Sequence, residues 1–122
     1  MEEITIQRRS EDFAIRVIRA YSVLSSRRFD DAGKVLARQF LRSGTSIGAN
    51  CAEAVYAQSR NDFISKYSIA LKEASETKYW INIMIKSELV SEHKFSLMQE
   101  EVERIIKILS STIKTLKLGL EH

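Results

Sequence analysis

The sequence predicts an all-α protein, an up-down-up-down antiparallel four-helix bundle. Three observations indicate this fold. Apolar residues recur at alternating spacings of three and four along four segments, the 122 residues contain no proline, and only short polar stretches separate the segments. The alternation of threes and fours is typical of an amphipathic helix, whereas a half-buried strand would alternate apolar and polar residues. Short connections favour antiparallel neighbours, as in an up-and-down bundle.

The first predicted helix begins with Ser10, a residue type favoured as an N-cap, which is followed by two acidic residues. Residues 1–9 have too little pattern to predict a helix, so we expect a loose or packed-on arm there. The polar stretch 25–31 ends the helix. The apolar line that should face the core consists of Phe13, Val17, Ala20 and Leu24.

The second predicted helix begins near residues 31–32 and runs through the small-residue stretch Ser43–Ala54 as one long helix. Gly44 and Gly48 share a side of this helix, which would let a neighbouring backbone approach closely. Each glycine costs roughly 1 kcal/mol of helix stability relative to alanine, so we expect close packing to compensate. A kink at the first of these glycines is the alternative.

The third predicted helix follows Ser59 as its N-cap and ends near residue 87. It carries a second apolar line besides the one that should face the core. A helix that is apolar on more than one side is usually buried on more than one side, which predicts an oligomer interface. That interface would contain Ile69, Tyr79, Trp80 and Ile83.

The fourth predicted helix is capped by Ser91 and ends near Gly119. We expect residues 1–119 to form a single domain and residues 120–122 to be the remnant of an expression tag. The longest apolar runs fall short of the roughly 20 residues that span a bilayer, and no secretory signal is visible, so we expect a cytoplasmic protein that does not interact with membranes. A single cysteine, Cys51, excludes an intramolecular disulfide.

Catalytic motifs are scarce. No Ser-His-Asp set can be assembled, and Cys51 has no plausible histidine base, so we predict that the protein is not an enzyme and has no cofactor. Polar residues of the second and third helices should instead form a buried network, to which lysines 66 and 72 would contribute. Its predicted members are Ser46, Asn50, Glu53, Glu73 and Glu76. A carboxylate metal site is a remote alternative, because the Glu-x-x-His pairs of di-iron bundles are missing.

The basic residues are unevenly distributed. The formal net charge is +3, and eight of the ten arginines lie between Arg8 and Arg42. Since guanidinium groups suit phosphate well, this segment predicts an outward nucleic-acid-binding face, and a solvated basic surface is the alternative. The face would contain Arg9, Arg16, Arg19, Lys34, Arg38 and Arg42. No aromatic residue interleaves these cations, so we expect contacts to the backbone without base stacking.

Two blocks of the sequence resemble a known family. The first is Arg42–Ala54, with the element Ser-Ile-x-x-Asn-x-Ala-Glu, and the second lies within residues 59–80, with the element Ile-Ala-Leu-x-Glu. Over about residues 13–118 the chain is similar to the four-helix bundle proteins encoded in intervening sequences of bacterial 23S rRNA genes. Many relatives have a proline and a glycine where this chain has Gly48 and Ala54. The difference should make the second helix more continuous.

The resemblance implies a ring-shaped homo-oligomer, commonly a pentamer, with no known enzymatic activity. More distant bundle proteins assist diversity-generating reverse transcriptases and bind nucleic acid and the polymerase through a similar basic ring. The expected partners are therefore further copies of the chain, RNA or DNA, and, by distant analogy, a reverse transcriptase or another protein. The alternative function is an oligomeric protein–protein adaptor or scaffold that binds no nucleic acid.

Overall fold

A computed structural model describes residues 4–28 and 30–120, which form four helices and no strand. In chain order they are α1 (Ile6–Ser25), α2 (Asp31–Ala54), α3 (Arg60–Lys86) and α4 (Glu92–Leu120). Each helix packs against two others: α1 and α3 both contact α2 and α4. Bonds between α2 and α3 join Ser43 to Thr77 and Glu53 to Lys66, as expected for antiparallel neighbours. The predicted antiparallel four-helix bundle is confirmed.

The start of α1 differs from the prediction. The helix begins at Ile6, where Thr5 is the N-cap and its hydroxyl accepts from the Arg8 amide at 3.2 Å. Ser10, the predicted cap, lies within α1 and is fully buried. Its hydroxyl donates to the Gln7 carbonyl at 3.0 Å. The arm expected over residues 1–9 is therefore helical from residue 6, and residues 1–3 lie outside the described range.

The predicted starts of the next two helices are confirmed by their caps. The Asp30 carboxylate accepts from the Gly33 amide at 2.9 Å, and the Ser59 hydroxyl accepts from the Asp62 amide at 3.0 Å. The long second helix is also confirmed, since α2 is uninterrupted from its first residue to Ala54. The last helix includes residue 120, while residues 121–122 of the predicted tag remnant lie outside the described part of the chain.

The two glycines of α2 lie where α1 crosses it. A Cβ at Gly44 would lie 2.8 Å from Val17 Cγ2, and a Cβ at Gly48 would lie 3.2 Å from the Ser10 carbonyl oxygen. Larger side chains at either position would push the helices apart. The close approach predicted from the small-residue stretch is therefore present, and it explains why a small Ser10 is buried opposite α2.

The core runs the length of the bundle and is mainly aliphatic and aromatic. Phe40 of α2 meets Phe95 of α4 edge to face, with ring centroids 6.0 Å apart. Besides Ser10, the buried polar residues among those described are Ser43 and Thr77, whose hydroxyls are 2.9 Å apart. The largest fully buried side chains are Phe13, Val17, Leu24, Phe40, Ile47, Thr77, Ile81, Met84, Val102, Ile105, Leu109 and Cys51.

Burial raises the pKa of the Cys51 thiol, although a hydrogen bond with Ser10 partly opposes the rise. A neutral thiol in this position behaves as a small hydrophobic side chain. Within residues 4–28 and 30–120, none of the helices is long and apolar enough to cross a membrane.

Candidate nucleic-acid interface

A small basic groove lies between the end of α1 and the first half of α2; we call it the α1–α2 groove. It has a volume of about 150 Å³. Its walls come from the last turns of α1, the connection after it and the facing side of α2. The lining residues are Tyr21, Leu24, Ser25, Arg27, Lys34, Ala37 and Arg38.

The local sequence explains this shape. Lys34 and Arg38 are four residues apart, so both lie on the same side of α2. Ala37 is buried between the two helices, and its small side chain leaves space next to the buried Leu24. Tyr21 lies one turn before Leu24 on α1 and is only partly buried. The groove therefore has an apolar floor, an aromatic wall and a cationic rim.

The rim of the groove carries three cations, of which Arg27 also lines a neighbouring cleft with Glu88 and Glu92. No acidic side chain lines the α1–α2 groove itself. Arg27, Lys34 and Arg38 take part in none of the ion pairs found among the described residues. The nearby carboxylate of Asp30 accepts the Gly33 amide as a helix cap. Three cations therefore lie together on the rim of one groove.

Two of the predicted phosphate ligands are instead held in ion pairs between helices. Arg9 is 19% exposed, and its Nη1 lies 2.9 Å from Glu101 Oε1 on α4. Arg42 pairs with Glu76 and, at 3.2 Å, with Glu73 on α3. Burial lowers the pKa of Arg42, but the hydrogen bonds and charges of both glutamates outweigh this effect and raise it.

The predicted basic line divides because of helical geometry. Four residues turn a helix by about 40° more than one full turn, so side chains at every fourth position drift around the axis. Lys34 and Arg38 consequently lie towards α1, whereas Arg42 reaches α3. Arg16 and Arg19 remain on α1, half-buried and exposed respectively, and neither lines the groove.

Sequence reasoning missed two members of the groove, Tyr21 and Arg27. Tyr21 had the spacing of a residue flanking the apolar line of the first helix, and Arg27 lay in a connection. Only the crossing of α1 over α2 brings both beside Lys34 and Arg38. The spacing of Tyr21 from Leu24 and Ser25 was the signal that could have placed it, because residues three and four apart share a face.

The prediction of a buried polar network is wrong, because its glutamates are exposed or only half-buried. Glu53 is exposed and forms an ion pair with Lys66 at 3.0 Å on the surface between α2 and α3. Hydrogen bonding to Glu53 raises the pKa of Lys66. Glu73 and Glu76 are half-buried and pair with an arginine, as described above.

The remaining members of the expected network bond within their own helix. The hydroxyl of Ser46 donates to the Arg42 carbonyl at 2.7 Å, and the Asn50 side chain donates to the Ser46 carbonyl at 2.8 Å. Both side chains are half-buried, while the pair of hydroxyls at Ser43 and Thr77 occupies the core. In the part of the chain that the structure describes, no group of three or more His, Cys, Asp or Glu side chains could hold a metal ion.

The second apolar line of α3 lies on the outside of the bundle; we call it the α3 outer face. Ile69 is 40% exposed and Tyr79 is 56% exposed, whereas Trp80 and Ile83 are half-buried. The rings of Tyr79 and Trp80 meet edge to face, with centroids 5.1 Å apart. The face therefore presents aliphatic and aromatic surface to solvent in the isolated chain.

Comparisons with known proteins agree on a single family. The model of the 23S rRNA-intervening sequence protein family matches residues 2–111 of this chain. Among solved structures, the chain is similar to a protein of unknown function from Bacteroides thetaiotaomicron, a member of the S23 ribosomal protein family. The two share 42% sequence identity and a TM-score of 0.83, over 90% of this chain and 99% of the other. No match was found among curated proteins.

Proposed function

The chain belongs to the 23S rRNA-intervening sequence protein family, and from that premise we propose that it is a non-enzymatic accessory protein that binds nucleic acid as a homo-oligomer. The observation that supports nucleic-acid binding is the α1–α2 groove. It gathers Arg27, Lys34 and Arg38 on a rim that no carboxylate lines. We propose that the protein acts in the cytoplasm, where ribosomal RNA and its precursors are found.

Phosphate groups are the ligands that such a rim would suit. Arginine presents a planar set of donors that matches phosphate oxygens, and lysine adds a point charge. Contacts of this kind are sequence-independent and weaken as salt rises, because binding releases counterions from the nucleic acid. Three cations on one chain would bind only weakly, so we propose that several copies of the groove act together.

The α3 outer face supports the oligomeric part of the proposal. Ile69 and Tyr79 expose apolar surface next to Trp80, and contiguous apolar surface on a helix favours burial against another chain. A ring assembled through this face would repeat the α1–α2 groove around its circumference. Multivalent binding can raise apparent affinity by roughly a hundredfold or more without a new contact. The family resemblance favours a pentamer.

Charge reversal in the groove tests the proposal. We expect Lys34→Glu combined with Arg38→Glu to abolish binding of a structured RNA and of a duplex DNA at low salt. The wild type should bind both and release them steeply as salt is raised. Binding would be measured by fluorescence anisotropy, after confirming an unchanged oligomer mass.

The matched control is Lys107→Glu combined with Lys114→Glu, which makes the same change in net charge on the exposed side of α4. This control should retain most of the binding. Equal losses in both variants would mean that only overall charge matters. Failure of an intact wild-type oligomer to bind at low salt would contradict the proposed function.

An oligomeric protein adaptor is the second candidate, and one observation favours it. Tyr56 is 86% exposed, and it adjoins Val55 in the connection between α2 and α3. Val55 lines an apolar cleft of about 340 Å³ that also contains Phe63 and Leu116. A protein partner could bury this surface. Absence of nucleic-acid binding in the experiment above would favour the adaptor.

A further inference from the structure

We propose that the α1–α2 groove accepts one unpaired base of a single-stranded nucleic acid and holds the adjoining phosphates on its rim. This inference rests on the proposed nucleic-acid-binding function and specifies the ligand of the same site. It makes single strands, or unpaired segments of structured RNA, the preferred ligands over continuous duplex.

The groove has a buried apolar floor and a charged rim. Leu24 and Ala37 are both buried and form the floor, and the partly buried ring of Tyr21 forms a wall. Arg27 and Arg38 belong to the rim. A ligand made only of phosphates would use the cations and leave the partly buried ring of Tyr21 in contact with water. A flat base that stacks its π-face on the tyrosine ring, joined to a phosphate, satisfies both parts.

The size of the groove supports a single base. Its volume of about 150 Å³ is below the roughly 300 Å³ at which pockets for drug-sized ligands begin. A complete nucleotide would not be enclosed, but one ring could enter while its sugar and phosphates stay at the rim. The ligand is therefore a nucleic-acid strand that passes over the groove and inserts one base.

The aromatic wall explains the preference for unpaired nucleic acid. In a duplex the bases are stacked and paired inside the helix, so only the phosphates would reach this groove. In a single strand a base can turn out and stack on an aromatic ring, and this contact tolerates any sequence because every base has a π-face. Binding without base stacking was expected because no aromatic residue lies among the predicted cations in the sequence. The structure places Tyr21 beside Lys34 and Arg38, so a base can stack there.

Substitution of Tyr21 separates base stacking from phosphate binding. Tyr21→Leu keeps apolar volume against the core and removes the ring, whereas Tyr21→Phe keeps the ring. We expect Tyr21→Leu to weaken binding of a single-stranded RNA of mixed sequence by about tenfold, which is the usual scale of one base–aromatic stack. Binding of a duplex with the same sequence should change little, and Tyr21→Phe should bind both ligands as the wild type does.

The measurement is fluorescence anisotropy of labelled single-stranded and duplex RNA at low salt, with circular dichroism melts to confirm folding of each variant. Ultraviolet cross-linking followed by peptide mass mapping provides a second readout and should place the cross-linked base at Tyr21. Equal affinity for both ligands, unchanged by Tyr21→Leu, would overturn the base pocket and leave backbone binding intact. Absence of binding to either ligand by the wild type would instead contradict the proposed function itself.

Discussion

Gly44 shows how a single residue sets the distance between two helices. The spacing of Gly44 and Gly48 in the sequence predicted a close approach, and the structure identifies the partners as Val17 and Ser10 of α1. Glycine is unfavourable inside a helix, but here a methyl group would meet the stiff, β-branched side chain of Val17. The contact therefore explains why a helix-destabilising residue occupies the middle of α2.

We predict that Gly44→Ala lowers the free energy of unfolding by up to about 2 kcal/mol. Overpacking costs typically 1–3 kcal/mol, and the better helix propensity of alanine returns about 1 kcal/mol. The free energy would be measured by chemical denaturation of the single variant and of the same substitution in a Val17→Ala background. Removing the valine methyl groups should make Gly44→Ala neutral or stabilising.

Gly119→Ala is the matched control, because its new Cβ would lie 3.2 Å from the terminal nitrogen of Arg60, a flexible side chain that can move. That variant should be as stable as the wild type or slightly more stable. An increase in stability on Gly44→Ala with Val17 still present would contradict the close packing described above.

The positions of residues at the boundary between core and surface were harder to predict than those of core residues. The spacing of Val17, Phe40 and Ile47 placed them in the core, where they are buried. Arg42 has the same polar character as Arg38, but the drift of the helix directs one to α3 and the other to α1. This difference depends on the positions of the neighbouring helices, and the spacing of residues along one helix does not reveal those positions.

At the scale of the elements, caps decided where helices begin and end. Ser59 was predicted as a cap from its residue type, and its hydroxyl bonds an exposed amide of the first turn of α3. Asp30, which was not predicted as a cap, does the same at the start of α2. Ser10 had the same chemistry but lies in the second turn of α1, where its hydroxyl donates to a carbonyl of the preceding turn. Thr5 is the actual cap of α1.

Just after α3, Glu88 adopts a backbone conformation that is unusual for a glutamate. The Leu89 amide donates to the Met84 carbonyl and the Glu88 amide donates to the Ile85 carbonyl, both at 2.9 Å, which is the bonding of a Schellman motif. Glu88 has a φ of 62°, the left-handed region that this motif requires and that glycine adopts most readily. A glutamate in that conformation carries backbone strain.

We predict that Glu88→Gly raises the free energy of unfolding by about 0.5–1 kcal/mol. The relief of left-handed strain, about 1–2 kcal/mol, exceeds the entropy that glycine adds to the unfolded chain. The neighbouring Ser87→Gly has a negative φ, gains no such relief and should be destabilising. Thermal and chemical denaturation of both variants would check this, and equal losses of stability would contradict it.

At the scale of the whole molecule, the bundle could be predicted from sequence and the groove could not. Four apolar periodicities and short connections are sufficient to specify an antiparallel bundle. The α1–α2 groove depends on which side of α1 faces α2, so Tyr21 and Arg27 were not grouped with Lys34 and Arg38. The α3 outer face was predictable because a second apolar line on one helix is visible in the sequence alone.

We expect an oligomer built on the α3 outer face to present several basic grooves to one nucleic acid. Ile69→Ser combined with Tyr79→Ser alters that face without changing net charge or the groove. Light scattering would give the mass of the particle, and anisotropy would give its affinity for a long structured RNA. Ile15→Ser combined with Leu97→Ser, which alters exposed apolar residues on α1 and α4, is the control and should change neither quantity.

Measuring mass and affinity together on the Ile69/Tyr79 variant is the most direct test. We predict a smaller species that remains helical and binds the long RNA roughly a hundredfold or more weakly, since multivalency is lost while each groove is intact. A variant that keeps its full mass would show that the interface lies elsewhere. A smaller species that binds the RNA as tightly as the wild type would contradict the claim that the grooves act together.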